Sequence, residues 1–125
     1  MGILTGKYST GKPEGSRYAS PAFQGGWMLH GFAANVEITD KLKPIATELG
    51  CSLAQMSIAW AVANQQVSTV LLGANRPEQL EETLKPIEFE SKITPEVKEK
   101  IDAVVQFVPK LPELDPFALA RNRYL

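Results

Sequence analysis

The chain has 125 residues, of which 44% are apolar and 22% are charged, and its formal net charge is −1. This composition is typical of one folded domain and excludes a disordered chain. The near-zero charge gives no electrostatic reason to expect binding to nucleic acid or to an anionic membrane.

Cysteine content and hydropathy narrow the class of protein further. Cys51 is the single cysteine, so the sequence has no disulfide framework and no thiolate metal cluster. No window approaches the ~18 apolar residues of a membrane span, and the N-terminus lacks the apolar core of a signal peptide. We therefore predict a cytoplasmic protein.

The N-terminal part of the chain is rich in glycine. Residues 1–8 are apolar at first, and residues 9–35 then contain too many glycines and prolines for a helix or a central strand. They predict a long surface loop, of a kind that is often functional. Phe23, Trp27 and Phe32 either pin this loop to a core or cover a ligand, and pinning is the favoured interpretation.

Two consecutive helices are predicted next. Apolar residues recur at helical spacing from Thr39 to Leu49, and Gly50 suits the position that follows a helix. Ser52 and Gln55 match a capping box at the start of the second helix. The many apolar residues of this helix predict that it is deeply packed.

A short buried strand is predicted after these helices. Val70, Leu71 and Leu72 form an unbroken apolar run, as in a strand that is covered on both faces. Such a strand needs partners, and the sequence supplies at most one more strand end. The order of elements is α/β with an unfinished sheet, so the fold is either all-helical or a piece of a larger α/β protein.

The turn after this strand is a candidate anion site. Small residues, Gly73 and Ala74, lead to Asn75, a good N-cap, with Glu78 as its capping-box partner and Pro77 near the helix start. A helix N-terminus presents free N–H groups and the positive end of the helix dipole. The turn is therefore suited to a phosphate, although many such turns bind nothing.

A last helix is predicted from Thr94, as N-cap, to about Gln106, with Pro95 at its first position. The tail that follows is rich in proline and has little regular structure to offer. Phe117, Leu119 and Tyr124 are apolar residues that could dock it.

No catalytic constellation and no metal site is visible in the sequence. His30 lies in a glycine-rich loop without an acid or a nucleophile at a meaningful spacing. Cys51 lies beside a helix N-terminus that could lower its pKa. Nothing near it in sequence is a base, so a packed, inert thiol is the better interpretation.

Residues 45–53 look like a helix-turn-helix, which makes DNA binding a remote alternative. A DNA reader exposes basic residues on its second helix. Here no Lys or Arg occurs between Lys43 and Arg76. We therefore expect no nucleic-acid partner.

Several blocks of sequence carry a resemblance to a known family. The blocks are Gly2–Tyr8, Leu42–Gly50, Leu53–Trp60, Val67–Ala74, Glu78–Glu82 and Thr94–Ile101. Together they resemble the C-terminal part of an aldo-keto reductase, and most of all the potassium-channel β-subunit branch. The resemblance extends from Gly2 to about Lys110, except for residues 18–38.

The resemblance implies that residues 1–125 are the C-terminal part of a (β/α)8 TIM barrel, one NADP-dependent oxidoreductase domain. In such a barrel NADPH lies across the C-terminal ends of the strands. The implied elements are the end of strand seven in Met1–Tyr8, the seventh helical segment in residues 39–64, strand eight in Thr69–Leu72, helix eight in residues 76–84 and a C-terminal helix in Thr94–Gln106.

The resemblance also implies cofactor-binding residues. Lys7 and Arg17 match basic residues that hold the cofactor from the long loop. Gly15 stands where some channel subunits have Tyr, which departs from the pattern. Gly73, Ala74 and Asn75 match the turn around the adenosine 2′-phosphate. Gln79 and Glu82 match side chains that face the adenine, and Thr83 stands where the family often has Asn.

The family's catalytic Asp, Tyr, Lys and His have no counterpart in this sequence. The chemistry implied for the intact protein is reduction of aldehydes or ketones by NADPH, with the Tyr as general acid. We expect this chain alone to be inactive and to bind NADPH weakly, and the Met1 start inside a strand predicts a truncation or a partial gene model. The alternative is a non-enzymatic regulatory subunit that binds a potassium channel, with self-association also possible.

Overall fold

The computed structural model describes residues 2–23 and 30–107, and every regular element within these ranges is helical. The four α-helices are α1 (Phe32–Leu49), α2 (Leu53–Val62), α3 (Pro77–Leu84) and α4 (Pro95–Val105). Shorter 3-10 helices occur at Ile3–Thr5, Arg17–Ala19 and Pro21–Phe23, and a longer one at Lys85–Lys92 connects α3 to α4.

The prediction of a buried strand at Thr69–Leu72 is wrong for the part of the chain that the structure describes. This segment has no regular secondary structure, and Leu71 is 90% exposed. Of the strand end expected in Met1–Tyr8, the described residues 2–8 form none, and Ile3–Thr5 forms a 3-10 turn instead. A strand exists only when a neighbour pairs with its N–H and C=O groups. Residues 2–23 and 30–107 supply no such neighbour.

Helix α1 begins earlier than its sequence predicts. It starts at Phe32 rather than Thr39, after Gly31 in the left-handed region (φ 72°). The glycines of the preceding segment end at Gly31, and residues 32–38 contain neither Gly nor Pro. The loop predicted for residues 9–35 therefore ends earlier than expected. Because α1 begins at Phe32, Pro44 lies in the helix interior, where it removes one backbone hydrogen bond.

The predicted helix ends around residue 50 are confirmed. Gly50 closes α1 with φ 72°, and its N–H donates to the carbonyl of Thr47 at 3.0 Å. Ser52 Oγ accepts from the N–H of Gln55 (3.2 Å), and Gln55 Oε1 accepts from the N–H of Ser52 (3.0 Å). This capping box starts α2 as predicted.

Helices α1 and α2 meet at a bend of 83°. Within the described ranges no single helix is long and apolar enough to cross a membrane, and α1 and α2 meet that test only when they are taken together.

Helix α2 lies at the centre of the core, as its apolar composition predicts. Met56 is 1% exposed and Ala59 is fully buried. This helix packs against α1 and against the 3-10 segment Lys85–Lys92, while α1 also packs against α4. The buried apolar cluster consists of Leu42, Ile45, Ala46, Leu53, Met56, Ala59, Ile93 and Ile101.

Helix α4 begins at the predicted place and ties the helix ends together. Thr94 Oγ1 accepts from the N–H of Val97 at 3.4 Å, with Pro95 at the first helical position. Lys98 Nζ donates to the carbonyl of Ala63 (2.9 Å), next to the C-terminus of α2. Lys92 Nζ donates to the carbonyl of Leu49 (3.3 Å) at the end of α1. Cations at these positions satisfy free carbonyls and interact favourably with the helix dipoles.

Aromatic packing anchors the N-terminal segment to α1. The rings of Tyr8, Tyr18 and Phe32 have centroids 4.6–5.5 Å apart, and both tyrosines are buried. Phe32 therefore pins the segment, as the sequence suggests. The guanidinium of Arg17 lies 5.8 Å from the ring centroid of Phe23, and Trp27 lies outside the described residues.

Substitution of Met56 and Leu71 separates the observed packing from the predicted strand. We expect Met56→Ala to lower the free energy of unfolding by about 2–5 kcal/mol, because it leaves a cavity in the core. Leu71→Ala should change it by less than about 0.5 kcal/mol, because Leu71 is almost fully exposed. Urea denaturation followed by circular dichroism measures both values. An equal loss for the two variants would show that Leu71 is buried after all.

Candidate functional site

The turn before α3 is exposed, and its helix starts one residue later than predicted. Arg76 occupies the N-cap position and Pro77 the first helical position. The backbone N–H of Asn75 donates to Oε1 of Gln79 at 3.0 Å. The prediction that Asn75 is the cap, with Glu78 as its partner, is therefore wrong. The fixed φ of proline suits the first helical position, which places the cap at the residue before it.

Two small residues leave space in front of this helix. Gly73 and Ala74 are exposed, and a Cβ added at Gly73 would meet no atom within 4 Å. The conformation of Gly73 does not require glycine either, since its φ lies outside the left-handed region. The free volume at the turn would let the backbone approach a ligand closely.

The three predicted cofactor-binding residues on α3 each have a hydrogen-bond partner in the protein. Gln79 accepts from the turn at Asn75. Glu82 Oε1 accepts from Ser52 Oγ (3.0 Å), which joins α3 to the start of α2. Thr83 Oγ1 donates to the carbonyl of Leu80 (3.1 Å) in its own helix. The side chains are thereby oriented, and a ligand would compete for or share these bonds.

The two predicted basic residues of the N-terminal segment make local contacts. Lys7 Nζ lies 5.1 Å from the ring centroid of Tyr8, and Arg17 lies over Phe23. Both side chains are exposed. No hydrogen bond or ion pair in the described ranges joins either residue to residues 73–83. Gln79, Glu82 and Thr83 thus lie on one helix, whereas the contacts of Lys7 and Arg17 are with aromatic residues of their own segment, and their shared role in one site stays a prediction.

Arg76 is a candidate site residue that the sequence interpretation did not single out. Its guanidinium belongs to the exposed N-cap residue of α3, beside the positive end of the helix dipole. An arginine next to a turn of small residues is the signal that could have identified it, because arginine binds phosphate through two parallel hydrogen bonds.

The chemistry of this turn could suit a phosphate group. A helix N-terminus presents backbone N–H groups, the exposed Arg76 precedes it, and a Cβ at Gly73 would meet no atom within 4 Å. The turn is open, however. Two cavities among the described residues lie elsewhere: a small one at Trp60, Asn64 and Lys98, and a larger apolar one between α1, α2 and α4.

The other reactive side chains do not form a catalytic site in the described residues. Cys51 is half-buried, and its Sγ lies 3.7 Å from the carbonyl of Ala46. Burial raises the pKa of the Cys51 thiol, an effect that nearby Lys92 partly offsets. His30 is exposed. Residues 2–23 and 30–107 contain no cluster of His, Cys, Asp or Glu able to hold a metal ion.

The helix-turn-helix interpretation does not gain from the structure. Helices α1 and α2 do cross at 83°, which is near the angle of such motifs. However, α2 carries no Lys or Arg, and its Leu53, Met56 and Ala59 are buried in the core. A recognition helix needs cations that contact phosphates, and α2 carries no cation.

The raised pKa makes Cys51 slow to react. We expect iodoacetamide to alkylate Cys51 of the folded chain at pH 8 severalfold more slowly than in the chain unfolded by urea, since only the thiolate attacks. Raising the pH should narrow the difference, because the folded thiol ionises at higher pH. Mass spectrometry of timed samples measures both rates. Faster reaction in the folded state would contradict an inert thiol.

The sequence is similar to one protein family and to several named proteins. The sequence matches the model of the Aldo/keto reductase family over residues 1–106. It is 42% identical over 120 residues to a protein of Oryza sativa subsp. japonica and 41% identical over 120 residues to one of Arabidopsis thaliana, each named "Probable voltage-gated potassium channel subunit beta". These alignments cover 90% of this chain and 34% of each relative.

A relative from Schizosaccharomyces pombe, also named as a voltage-gated potassium channel subunit beta, is 39% identical over 110 residues. That alignment covers 86% of this chain and 32% of the relative. The chain thus spans about a third of the length of the curated relatives it matches. Because the family model matches residues 1–106, most of the sequence, the chain belongs to the aldo/keto reductase family.

Proposed function

We propose that this chain forms the adenosine-phosphate side of an NADPH site in a longer, cytoplasmic aldo-keto reductase that reduces aldehydes or ketones. The open turn of small residues in front of α3, with Arg76 beside it, carries the proposal. The family match supports the choice of NADPH over other phosphate ligands, since NADP(H) is the cofactor of this family.

Each residue of the turn has a specific role in this proposal. Arg76 and the free N–H groups at the start of α3 bind the 2′-phosphate, where the helix dipole favours negative charge. Gly73 and Ala74 let the phosphate approach the backbone, and Asn75 completes the turn. Gln79 lies one helical turn further along, already oriented by the N–H of Asn75.

The remaining predicted residues border the cofactor on either side. Glu82, like Gln79, faces the adenine and is held in place by Ser52, and Thr83 stands beside it where the family often has Asn. Lys7 and Arg17 hold the cofactor from the N-terminal segment, and they reach it only if the cofactor or the remainder of the longer protein brings the two regions together. Bound NADPH supplies the hydride for carbonyl reduction.

The proposal assigns no catalytic residue to this chain. The general acid that protonates the carbonyl oxygen would come from the part of the longer protein that precedes these residues. In the isolated chain the turn is open to water, which weakens each electrostatic contact with a phosphate. Tight binding therefore needs the enclosure that the complete domain would supply.

A second function is a regulatory subunit of a potassium channel. The names of the relatives from rice and Arabidopsis favour it, since both describe channel β subunits. The same nucleotide site could serve either role. Carbonyl-dependent oxidation of NADPH by the longer protein would support the reductase, whereas co-purification with a channel without such activity would support the subunit.

The isolated chain should bind NADPH weakly. We expect titration with micromolar NADPH to leave the fluorescence of the two tryptophans, Trp27 and Trp60, without saturable quenching. Adding an aldehyde should not cause NADPH oxidation. The longer protein in the same buffer is the positive control. A micromolar Kd for the folded, isolated chain would contradict the requirement for the complete domain.

Arg76 should determine preference for the 2′-phosphate in the longer protein. We expect Arg76→Ala to raise the KM for NADPH about tenfold or more, the loss of a charged hydrogen bond worth about 1.5–3 kcal/mol. The KM for NADH, which lacks this phosphate, should change little.

Lys85→Ala is the matched control for Arg76→Ala. Lys85 is an exposed cation at the opposite end of α3, where it is remote from the turn. Its removal should leave both KM values unchanged. Equal increases for NADPH and NADH in Arg76→Ala would show that Arg76 does not contact the 2′-phosphate.

A further inference from the structure

A hydrogen-bonded cluster of three side chains, Ser9, Asp40 and Lys43, joins the N-terminal segment to α1. The hydroxyl of Ser9 donates to Oδ1 of Asp40, and Nζ of Lys43 donates to the oxygen of Ser9. Lys43 also forms an ion pair with Asp40, with Nζ and Oδ1 2.7 Å apart. The cluster therefore connects one residue of the segment to two residues that lie three positions apart on the same helix.

Lys43 contacts the segment at a second point, Gly6. A Cβ added at Gly6 would lie 2.9 Å from Cε of Lys43, and Gly6 has φ 74°. The lysine stem thus lies directly on the backbone of a residue where a side chain would not fit. The hydroxyl of Ser9 also lies 2.8 Å from the carbonyl oxygen of Gly6. Lys43 therefore holds both ends of the stretch from residue 6 to residue 9.

Tyr8 anchors the same stretch between these two points. Its side chain is buried, and its ring lies edge-on to the ring of Phe32 on α1, with centroids 5.5 Å apart. Residues 6, 8 and 9 thus each contact α1, and the residue that they enclose is Lys7. The side chain of Lys7 is exposed, and within the described ranges its ammonium group has no acidic partner. Its backbone is held from both sides while its charge stays available to a ligand.

A second ion pair on α1 differs from this cluster in what it contacts. Nζ of Lys41 lies 2.7 Å from Oε1 of Glu37, and both side chains are exposed. In the part of the chain that the structure describes, neither bonds to the N-terminal segment. Exposed pairs of this kind contribute little to stability. Asp40 and Lys43, in contrast, are half-buried and share the hydroxyl of Ser9. The Glu37–Lys41 pair is therefore a matched control for the cluster.

We propose that Ser9, Asp40 and Lys43 are positioning residues that hold Lys7 in place for the phosphates of NADPH. The inference rests on the proposed function, in which Lys7 binds the cofactor. A lysine loses conformational freedom when it binds a phosphate. Because α1 already fixes the backbone of Lys7, that loss is confined to the side chain, which favours binding. The charge of Lys43 is paired with Asp40, so the cluster acts through Lys7 and does not itself contact the cofactor.

Limited proteolysis tests the attachment in the chain itself. Trypsin cleaves after Lys7 when residues 6–9 separate from α1, because a protease needs a locally unfolded backbone. We expect Asp40→Ala to raise the rate of this cleavage severalfold, although Asp40 is distant from the cleaved bond in sequence. Glu37→Ala, on the same helix, should leave the rate unchanged. Mass spectrometry of timed samples measures both rates, and equal rates in the two variants would overturn the proposal.

Equilibrium binding to the longer protein tests the role of the cluster in holding the cofactor. The fluorescence of NADPH reports its Kd without any turnover. We expect Lys7→Ala to raise this Kd about tenfold, the loss of one charge-assisted hydrogen bond. Ser9→Ala and Asp40→Ala should raise it about threefold to tenfold, because a side chain must then be ordered on binding. Ser9→Thr, which keeps the hydroxyl, and the control Glu37→Ala should leave it unchanged.

The double variant Lys7→Ala and Ser9→Ala distinguishes positioning from an independent contribution. Because Ser9 acts through Lys7, the Kd of the double variant should equal that of Lys7→Ala alone. A further increase would overturn the proposal. A raised Kd in Lys7→Ala with an unchanged Kd in Ser9→Ala would also overturn it, and would leave the proposed function intact. An unchanged Kd in Lys7→Ala would instead remove Lys7 from the proposed cofactor site, and this inference with it.

Discussion

The described structure depends on the burial of one face of α2. Leu53, Met56 and Ala59 recur every three residues and are almost inaccessible to solvent, with α1 on one side and the 3-10 segment Lys85–Lys92 on another. A ten-residue helix is too short to be stable alone in water, so its packing must stabilise it. The same contacts hold the helices around it. Lys92 also donates to the carbonyl of Leu49 at the end of α1, and Lys98 donates to the carbonyl of Ala63, just after α2.

The turn before α3 is connected to this core through Ser52, the N-cap residue of α2. Ser52 accepts a hydrogen bond from its own helix and donates one to Glu82 on α3, and Gln55 donates to the backbone carbonyl of Glu82 at 3.4 Å. The capping box therefore has two consequences, because it starts α2 and orients α3. Gly73 and Arg76 of the turn are both exposed.

Local sequence signals predicted the helix ends well where the physics is local. The capping box at Ser52, the left-handed Gly50 and the Thr94–Pro95 start are each determined by residues within one turn of one another. The same kind of signal failed at Asn75, because a proline two residues later competed with the capping preference. At the start of α1, the density of glycine before residue 32 obscured an uninterrupted helical stretch after it.

The sequence by itself determined the family, the helical segments and the residue types suited to a phosphate, because these depend on blocks of neighbouring residues. Only the tertiary structure decided that residues 69–72 do not form a strand and leave Leu71 exposed, and that Arg76 rather than Asn75 caps α3. It also decided that Lys7 and Arg17 contact their own segment. Strand pairing and the meeting of distant side chains are non-local: they require a partner at the right place in space, which an apolar run or a basic residue does not encode.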